Sequence, residues 1–179
     1  MVDGTDHALI ERYRRGDAAA FRLLVVRYQR PVYNAAFWIL RNADDARDIA
    51  QTVFLRVAER ADDYDPNHKF FSWIYRIAVN ESLNLLRRHG REEGLDEDGE
   101  IADAGAGPER RVEDDERAQL LHRALKKMSV ADRTVITLRH FSELSYREIA
   151  EATGVDEKTV KSRLFEARQR LRALLPELH

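Results

Sequence analysis

The sequence predicts an all-α protein in which two small helical domains are joined by a flexible acidic linker. Only 8 glycines and 4 prolines occur among the 179 residues, which argues against a loop-rich β protein. Apolar residues recur at helical spacing on both sides of one acidic segment, without sustained strand-type alternation. A helix-turn-helix pattern occupies residues 144–171. We therefore place the domains at residues 5–90 and 113–179 and the linker at 91–112, and we expect four helices in the second domain.

Four helices are predicted in the first domain, over residues 6–15, 17–40, 42–61 and 70–88. Gly16 ends the first of them, and Pro31 predicts a kink or a break in the second. Asn42 is the expected N-cap of the third helix and forms a weak capping box with Asp45. A turn at residues 64–69 precedes the fourth helix.

The formal net charge of −2 conceals an uneven distribution. Segment 92–116 holds 12 acidic residues against two arginines, which leaves 28 basic and 20 acidic residues in the rest of the chain. This segment also contains a Gly-Ala stretch without aromatic residues or helical periodicity, as expected of a flexible linker. The helical domains therefore fit an anionic partner, and the linker fits a basic surface.

The composition argues against an enzyme, a metal site or a cofactor. The chain has no cysteine, which excludes disulfides, thiol catalysis and cysteine-based zinc sites. Its six histidines are scattered, and neither a Gly-rich phosphate loop nor a nucleophile elbow occurs. No apolar run reaches the ~18 residues of a membrane span, and the N-terminus lacks a signal-peptide core. We expect a cytoplasmic protein without membrane insertion.

Residues 144–171 have the internal spacing of a DNA-reading helix-turn-helix. Predicted helices at 145–152 and 156–175 flank a tight turn, and helices at 113–128 and 130–141 precede them. Ala150 is small enough to let two helices approach closely, and Gly154 supplies the positive φ that such a turn needs. Asp156 is the expected N-cap of the last helix.

The last helix has one apolar and one basic face. Its apolar residues recur at steps of 4, 3, 4 and 3, and residues 157–172 include six basic and two acidic side chains. A helix that presents Lys, Thr and Ser in its first turns suits the DNA major groove. An ordinary amphipathic helix with a solvated charged face is the alternative, and the preceding turn favours DNA reading. The apolar stripe is Val160, Leu164, Ala167, Leu171 and Leu174, and the opposite face carries Lys158, Lys161, Ser162, Phe165, Arg168 and Arg172.

A second polar stripe runs along the predicted helix at 70–88. Its members combine one aromatic ring, two amides and two guanidinium groups at steps of 3, 4, 4 and 3. Aromatic rings stack on unstacked bases, amides read base edges and arginines hold phosphates, which suits opened nucleic acid. The alternative, in which Trp73 belongs to the core and the amides are solvated, stays open. The stripe is Trp73, Arg76, Asn80, Asn84 and Arg87.

The third predicted helix begins with acidic residues. Compensation of the helix dipole alone explains Asp44 and Asp45. Asp48 and Gln51 fit docking onto a basic protein surface equally well, and the sequence leaves both interpretations open.

Taken together, these segments resemble bacterial sigma factors of the extracytoplasmic-function group, the minimal two-domain members of the sigma-70 family. Four blocks carry the resemblance, and their order around an acidic segment is specific where a lone helix-turn-helix would be weak evidence. They are FRLLVVRYQRPVYN at 21–34, DARDIAQTVFLRVAER at 45–60, FFSWIYRIAVNESLNLLRR at 70–88 and LSYREIAEATGVDEKTVKSRLFEARQRLR at 144–172. By this resemblance we also expect neither an additional N-terminal domain nor a sensory domain.

The resemblance implies a transcription initiation factor that binds core RNA polymerase and directs it to promoters. The third helix would dock on the clamp helices of the largest subunit, and the flap of the second-largest subunit would be a further contact. The acidic linker would pass through the basic active-site and RNA-exit channel, and an anti-sigma factor would be a second protein partner. The implied polymerase-binding residues are Asp44, Asp45, Asp48, Gln51 and Phe54.

The resemblance also assigns two DNA-binding surfaces. The turn at 65–69 and the fourth helix would recognise and melt the minus-10 element, with one flipped base in a pocket formed largely by the turn. The last helix would read the minus-35 element as duplex. The minus-10 residues are Asn67, His68, Lys69, Phe71, Trp73, Arg76, Asn80, Asn84 and Arg87, and the minus-35 residues are Lys158, Thr159, Lys161, Ser162, Arg163, Phe165 and Arg168.

Two other classes of protein compete with this interpretation. A conventional helix-turn-helix repressor or activator would need a dimerisation helix or a ligand pocket, and it would bind a palindromic site. A helical adaptor would make no DNA contact at all.

Overall fold

The computed structural model describes residues 4–92 and 115–175, and within those ranges it consists of helices joined by short turns. A single 3-10 turn at Ala61–Asp63 follows the third helix, and no strand occurs among the described residues. The all-α prediction is confirmed. The helices are α1 Asp6–Arg14, α2 Ala18–Leu40, α3 Ala43–Glu59, α4 Phe70–Glu92, α5 Asp115–Lys126, α6 Val130–His140, α7 Tyr146–Thr153 and α8 Glu157–Leu174.

Most helix boundaries fall within two residues of the prediction, with two exceptions. α2 continues through Pro31 as one helix, so of the kink or break predicted there the break does not occur. Buried Leu24 and Val32 anchor the helix on both sides of the proline, and their packing offsets the missing N–H. α4 runs to Glu92, four residues beyond its predicted end and into the range assigned to the linker. The rest of the predicted linker, 93–112, lies outside the described residues.

Helices α1–α4 bury a common apolar core around α2. Leu9 and Ile10 of α1 and Leu24 and Phe37 of α2 are no more than 1% exposed. Side-chain caps fix where α2 and α3 begin. Asp17 accepts hydrogen bonds from the first backbone amides of α2, and the Asn42 side chain accepts from the amides of residues 44 and 45. The predicted N-cap of α3 is confirmed.

Helices α6–α8 form the predicted helix-turn-helix and its support. Ser145 and Glu148 make a reciprocal capping box at the start of α7. Gly154 ends α7 with φ 73°, and Asp156 caps α8 by accepting from the amide of Thr159 at 2.9 Å. The predicted turn geometry and N-cap are therefore confirmed. The buried stripe of α8, which includes Val160, Leu164 and Ala167, packs toward α6.

The two halves of the chain pack against each other, α2 on α6 and α4 on α7. The rings of Trp38 and Phe141 stack with centroids 4.5 Å apart. The buried Arg133 of α6 donates from Nε to the carbonyl of Ile39 at 2.9 Å. Buried residues of both halves join one continuous apolar cluster. The sequence left this relative placement open.

Replacement of Gly154 by alanine should lower the free energy of unfolding by about 1 kcal/mol, since a Cβ is disfavoured at φ 73°. No neighbouring atom lies within 4 Å of an added Cβ, so backbone strain alone sets the cost. Gly154→Asn should cost less, because asparagine tolerates left-handed backbone. Urea denaturation of the three proteins measures both effects, and an alanine variant as stable as the original would contradict the prediction.

Candidate nucleic-acid and polymerase interface

The basic face of α8 is exposed over its first three turns. Lys158, Lys161 and Ser162 are exposed there, whereas Thr159 and Arg163 are half-buried. The ring of Phe165 is 63% exposed, an unusual position for a large apolar side chain. The apolar stripe faces inward, so these side chains project together from one surface.

Several cations of α8 also make contacts within the protein. Arg170 pairs with Asp132, whose side chain is 5% exposed, and also with Glu166. Lys161 lies 2.9 Å from a carboxylate oxygen of Glu157. The Nε of Arg168 donates to the Nε2 of His140 at 3.3 Å. The basic face of α8 therefore also contributes contacts to the fold, and Arg170 makes two of them.

The polar stripe of α4 is exposed except at its first residue. Arg76, Asn80, Asn84 and Arg87 are exposed, and Arg87 donates to the Asn84 side chain at 3.0 Å. Trp73 is half-buried and packs on an aromatic cluster at the base of the stripe. Its ring centroid lies 5.5 Å from that of Tyr64 and 5.7 Å from that of Phe70. One side of the ring therefore supports the core, and the role of Trp73 in base stacking stays a prediction.

A cavity of about 460 Å³ opens beside this stripe. The 3-10 turn, the 64–69 turn and the first turns of α4 form its walls, and α7 contributes Glu151. Ser72 is buried in the wall, and its Oγ lacks a hydrogen-bond partner within the described residues. The cavity is lined by Arg60, Asp63, Tyr64, Asp65, His68, Ser72, Trp73, Arg76, Ile77, Asn80 and Glu151.

Hydrogen bonds hold the 64–69 turn in one shape. Asp65 Oδ1 accepts from the backbone and side-chain nitrogens of Asn67, each at 2.9 Å, and the Tyr64 hydroxyl donates to the carbonyl of His68 at 2.8 Å. Asn67, His68 and Lys69 are exposed at the tip. Lys69 also lies 5.2 Å above the half-buried ring of Phe71. The turn therefore presents its polar side chains on a fixed backbone.

An acidic stripe runs along the outer face of α3. Asp44, Asp48 and Gln51 are exposed and follow each other at steps of 4 and 3. Leu55 continues the stripe one step of 4 later and is 64% exposed. Phe54 instead packs against the core, and Asp45 is half-buried. Sequence reasoning missed Leu55, although its spacing from Gln51 was a readable signal.

Three buried or paired groups near these surfaces have shifted pKa values. Burial lowers the pKa of Arg133 to about 10. Burial also lowers the pKa of His140, and the nearby Arg168 and Arg139 lower it further. Burial opposes ionisation of Glu148, but hydrogen bonds from Lys69 and Ser145 outweigh it and hold its pKa below the ordinary value.

Comparisons with known proteins match this arrangement of helices. The family description "Sigma-70 region 2" matches residues 24–92, and "Sigma-70, region 4" matches residues 118–171. The RNA polymerase sigma-H factor of Pseudomonas aeruginosa is 34% identical, over 99% of this chain and 98% of that protein. The ECF RNA polymerase sigma factor SigW of Bacillus subtilis is 33% identical, over 94% of this chain and 96% of its own length.

Two solved structures share the fold. One contains CnrH in complex with the cytosolic domain of CnrY, with a TM-score of 0.71 and 27% identity over 97% of this chain and 99% of that one. The other contains the sigma factor RpoE with the anti-sigma factor NepR from Bartonella quintana. Its TM-score is 0.77, with 25% identity over 89% of this chain and 98% of that one.

The chain therefore belongs to the sigma-70 family and is a promoter-directing transcription initiation factor. Within that family, its similarity to factors named as ECF sigma factors places it in the extracytoplasmic-function group. None of the helices in the described ranges is both long and apolar enough to cross a membrane.

Proposed function

We propose that this sigma factor docks on core RNA polymerase through α3 and reads the promoter at two points. α8 binds the minus-35 element as duplex, and α4 with the 64–69 turn binds the opened minus-10 element. The observation that carries the proposal is the exposed stripe of α4 beside a cavity of about 460 Å³. That volume is in the range of roughly 300–1,000 Å³ typical of small-ligand pockets. The proposed division into domains at 5–90 and 113–179 is supported by the two family matches.

The chemistry of the cavity suits one flipped base. The ring of Trp73 forms an aromatic wall for stacking, and the Asn80 amide at the rim offers both a donor and an acceptor. The unpartnered Oγ of Ser72 gives a further polar contact inside. Arg76 and Arg87 along the helix supply phosphate contacts for the displaced strand.

The first turns of α8 suit the major groove. Lys158, Lys161 and Ser162 offer hydrogen-bond donors to base edges, and the exposed ring of Phe165 suits the methyl group of thymine. Arg163 and Thr159 flank this set, and Arg168 lies farther along for a phosphate.

The protein partners follow from the acidic surfaces. The stripe of Asp44, Asp48 and Gln51, with the exposed Leu55 at its end, combines charge with an apolar anchor and suits the clamp helices of the largest polymerase subunit. The C-terminal helices would contact the flap of the second-largest subunit, and the acidic linker would lie in the basic exit channel. A solved relative bound to an anti-sigma factor supports such a regulator as a further partner. The factor would act in the cytoplasm without catalysing a reaction of its own.

Reconstitution with core RNA polymerase tests the proposal. The purified chain should co-elute with core enzyme, and the holoenzyme should select a two-part promoter from random DNA and support run-off transcription from it. Neither co-elution nor transcription from any selected sequence would overturn the proposed function. Binding to a palindrome as a dimer without polymerase would instead favour a conventional regulator.

Replacement of Asn80 by alanine should reduce promoter opening by about tenfold, since one lost base contact of 1–3 kcal/mol has that effect. Core-polymerase binding should be unchanged, because Asn80 is exposed on α4 and is not a member of the α3 stripe. Permanganate footprinting measures opening, and co-elution measures core binding. Gln51→Ala is the matched control and should show the reverse pattern. Lost core binding in the Asn80 variant would mark a structural role.

Binding of the minus-35 duplex should strengthen severalfold between pH 7.5 and 5.5. His140 has a lowered pKa in the free protein, and a phosphate held by the neighbouring Arg168 would raise it. Proton uptake then accompanies binding, so lower pH favours the complex. Fluorescence anisotropy at constant salt measures the trend. A His140→Gln variant should show a flatter profile, and an equally steep one would exclude this histidine as the cause.

A further inference from the structure

The first helix contacts the backbone of one wall of the cavity beside α4. Arg14, in the last turn of α1, reaches residues 61–64, which contain the 3-10 turn and lead into the 64–69 turn. Its Nε and Nη2 donate to the carbonyl of Ala61 at 2.9 and 2.6 Å, and Nη2 also donates to the carbonyl of Tyr64 at 2.7 Å. One guanidinium group therefore joins both ends of this segment.

We propose that Arg14 is a positioning residue for the minus-10 pocket, by which we mean the cavity that receives the flipped base. Its contacts keep the 61–64 segment in the shape that this base requires. The inference rests on the proposed minus-10 role of α4 and the 64–69 turn, and it adds a residue of α1 to that site. Arg14 is not among the residues that line the cavity, so it acts through those that do. It also precedes residues 24–92, which match the description of sigma-70 region 2.

The contacts of Arg14 reinforce a weakly closed turn. The backbone hydrogen bond that closes the 3-10 turn runs from the amide of Tyr64 to the carbonyl of Ala61 and is 3.3 Å long, at the far end of the usual range. The same carbonyl accepts two shorter bonds from the guanidinium. Hydrogen bonds from a charged donor are roughly twice as strong as neutral ones. Glu11, one turn earlier on α1, pairs with Nη1 of Arg14 and so fixes the direction of the guanidinium fork.

The segment that Arg14 contacts carries part of the cavity wall. Tyr64 is 4% exposed and lines the cavity. Its ring centroid lies 5.6 Å from that of Phe70 and 5.5 Å from that of Trp73, the proposed stacking wall. The Tyr64 hydroxyl donates to the carbonyl of His68 at 2.8 Å. A shift of the Tyr64 backbone therefore moves the aromatic wall and the following turn together.

A wall that is ordered before DNA arrives favours capture of a base. Extrusion of a base costs unstacking free energy, and binding to a mobile wall adds the entropy cost of ordering it. Without Arg14, the apparent affinity for the base falls by the fraction of molecules in which the wall has the receiving shape. Arg14 is not a member of the α3 stripe, so its loss should weaken base capture and leave core-polymerase binding unchanged.

Promoter opening by the reconstituted holoenzyme tests this role. Arg14→Ala is compared with the parent on two forms of the promoter selected from random DNA, one intact and one abasic at the flipped position. 2-Aminopurine placed at each minus-10 position in turn locates the flipped base, because its fluorescence rises when it leaves the stack. Arg15→Ala is the matched control, since Arg15 is exposed one residue farther along and its replacement removes the same charge.

On the intact promoter, Arg14→Ala should raise the holoenzyme concentration needed for half-maximal opening about tenfold, as expected when the wall is ordered in about one molecule in ten. On the abasic promoter, the variant and the parent should open equally, because no base remains for the wall to receive. Arg15→Ala should match the parent on both promoters. Permanganate footprinting measures opening, and co-elution with core enzyme should be the same for all three proteins.

Amide hydrogen exchange of the free full-length chain provides a second readout. Peptides that cover residues 61–69 should exchange faster in Arg14→Ala than in the parent, whereas those of α8 should be unchanged. Arg14→Lys keeps a cation but replaces the fork with a single ammonium, so it should give intermediate exchange and opening. This lysine variant also serves as the test if the alanine variant does not fold.

Equal losses on the intact and abasic promoters would overturn the inference, because Arg14 would then support the fold in general. Unchanged exchange of residues 61–69 in the alanine variant would overturn it as well. If no minus-10 base left the stack with the parent, or if the parent opened both promoters equally, the proposed minus-10 role would fail together with the inference. A parent that distinguishes the two promoters, beside an alanine variant that does so equally well, would reject the role of Arg14 alone.

Discussion

Replacement of Phe37 by alanine should lower the free energy of unfolding by about 3–5 kcal/mol. The Phe37 ring on α2 is 1% exposed, and it contacts aromatic residues of both halves of the chain. It stacks with Tyr33 at 6.2 Å, and it meets His122 of α5 at 5.7 Å. The guanidinium of Arg41 lies 5.3 Å above it. The substitution therefore leaves a cavity and removes one of the two aromatic rings beside the buried Arg41, the other being Trp38.

Phe165→Ala is the matched control for this prediction. The chemical change is the same, but the ring is 63% exposed on α8. Its loss should change stability by no more than about 0.5 kcal/mol. Urea denaturation followed by circular dichroism measures both variants. Equal losses would contradict the burial of Phe37, and a large loss for Phe165 would show that its ring has a packing partner.

The local structure could be predicted from the sequence because its signals are local. Gly154 and Asp156 lie within three residues of the turn that they shape, and Asn42 caps the helix that begins after it. The period of the apolar residues then fixes which face of α8 is buried. Of the kink or break predicted at Pro31, the break does not occur, because packing on both sides of the proline overrides its local preference.

The contact between the two halves could not be predicted in this way. Arg133 and Ile39 are 94 residues apart, and no periodicity links a charged side chain to a distant carbonyl. Phe141 lies at the end of α6 and Trp38 is only half-buried, so neither stands out as an interface residue. Tertiary packing of this kind depends on surfaces that become visible only once the helices are placed.

In the candidate site, too, local features could be predicted from the sequence and tertiary contacts could not. The stripes of α3, α4 and α8 follow from spacing, and the structure confirms that most of their members are exposed. The partners within each stripe do not follow from spacing. Spacing does not show, for example, that Arg170 of α8 is paired with Asp132 from another helix. Phe54 lies about 100° around α3 from Leu55, so the helix turns it toward the core.

Removing Lys158, Lys161 and Arg168 together should weaken binding of holoenzyme to minus-35 duplex by about 3 kcal/mol, or more than a hundredfold. Each side chain projects from the outer face of α8, and none is buried. The loss should fall short of a simple sum, because Lys161 already shares its charge with Glu157 at 2.9 Å. Anisotropy titrations at several salt concentrations measure both the affinity and its salt dependence.

The salt dependence separates base contacts from phosphate contacts. Each lost phosphate contact should reduce the slope of log affinity against log salt by about 0.9, whereas a lost base contact lowers affinity with little change in slope. Arg170→Ala provides the contrast on the same helix. The Arg170 guanidinium pairs with Asp132, whose side chain is only 5% exposed. Replacing Arg170 by alanine removes that partner from a buried carboxylate and should lower the free energy of unfolding. The slope of the Arg170 variant should then stay near the parent value. If both the affinity and the slope of the triple variant were unchanged, α8 would not belong to the DNA interface.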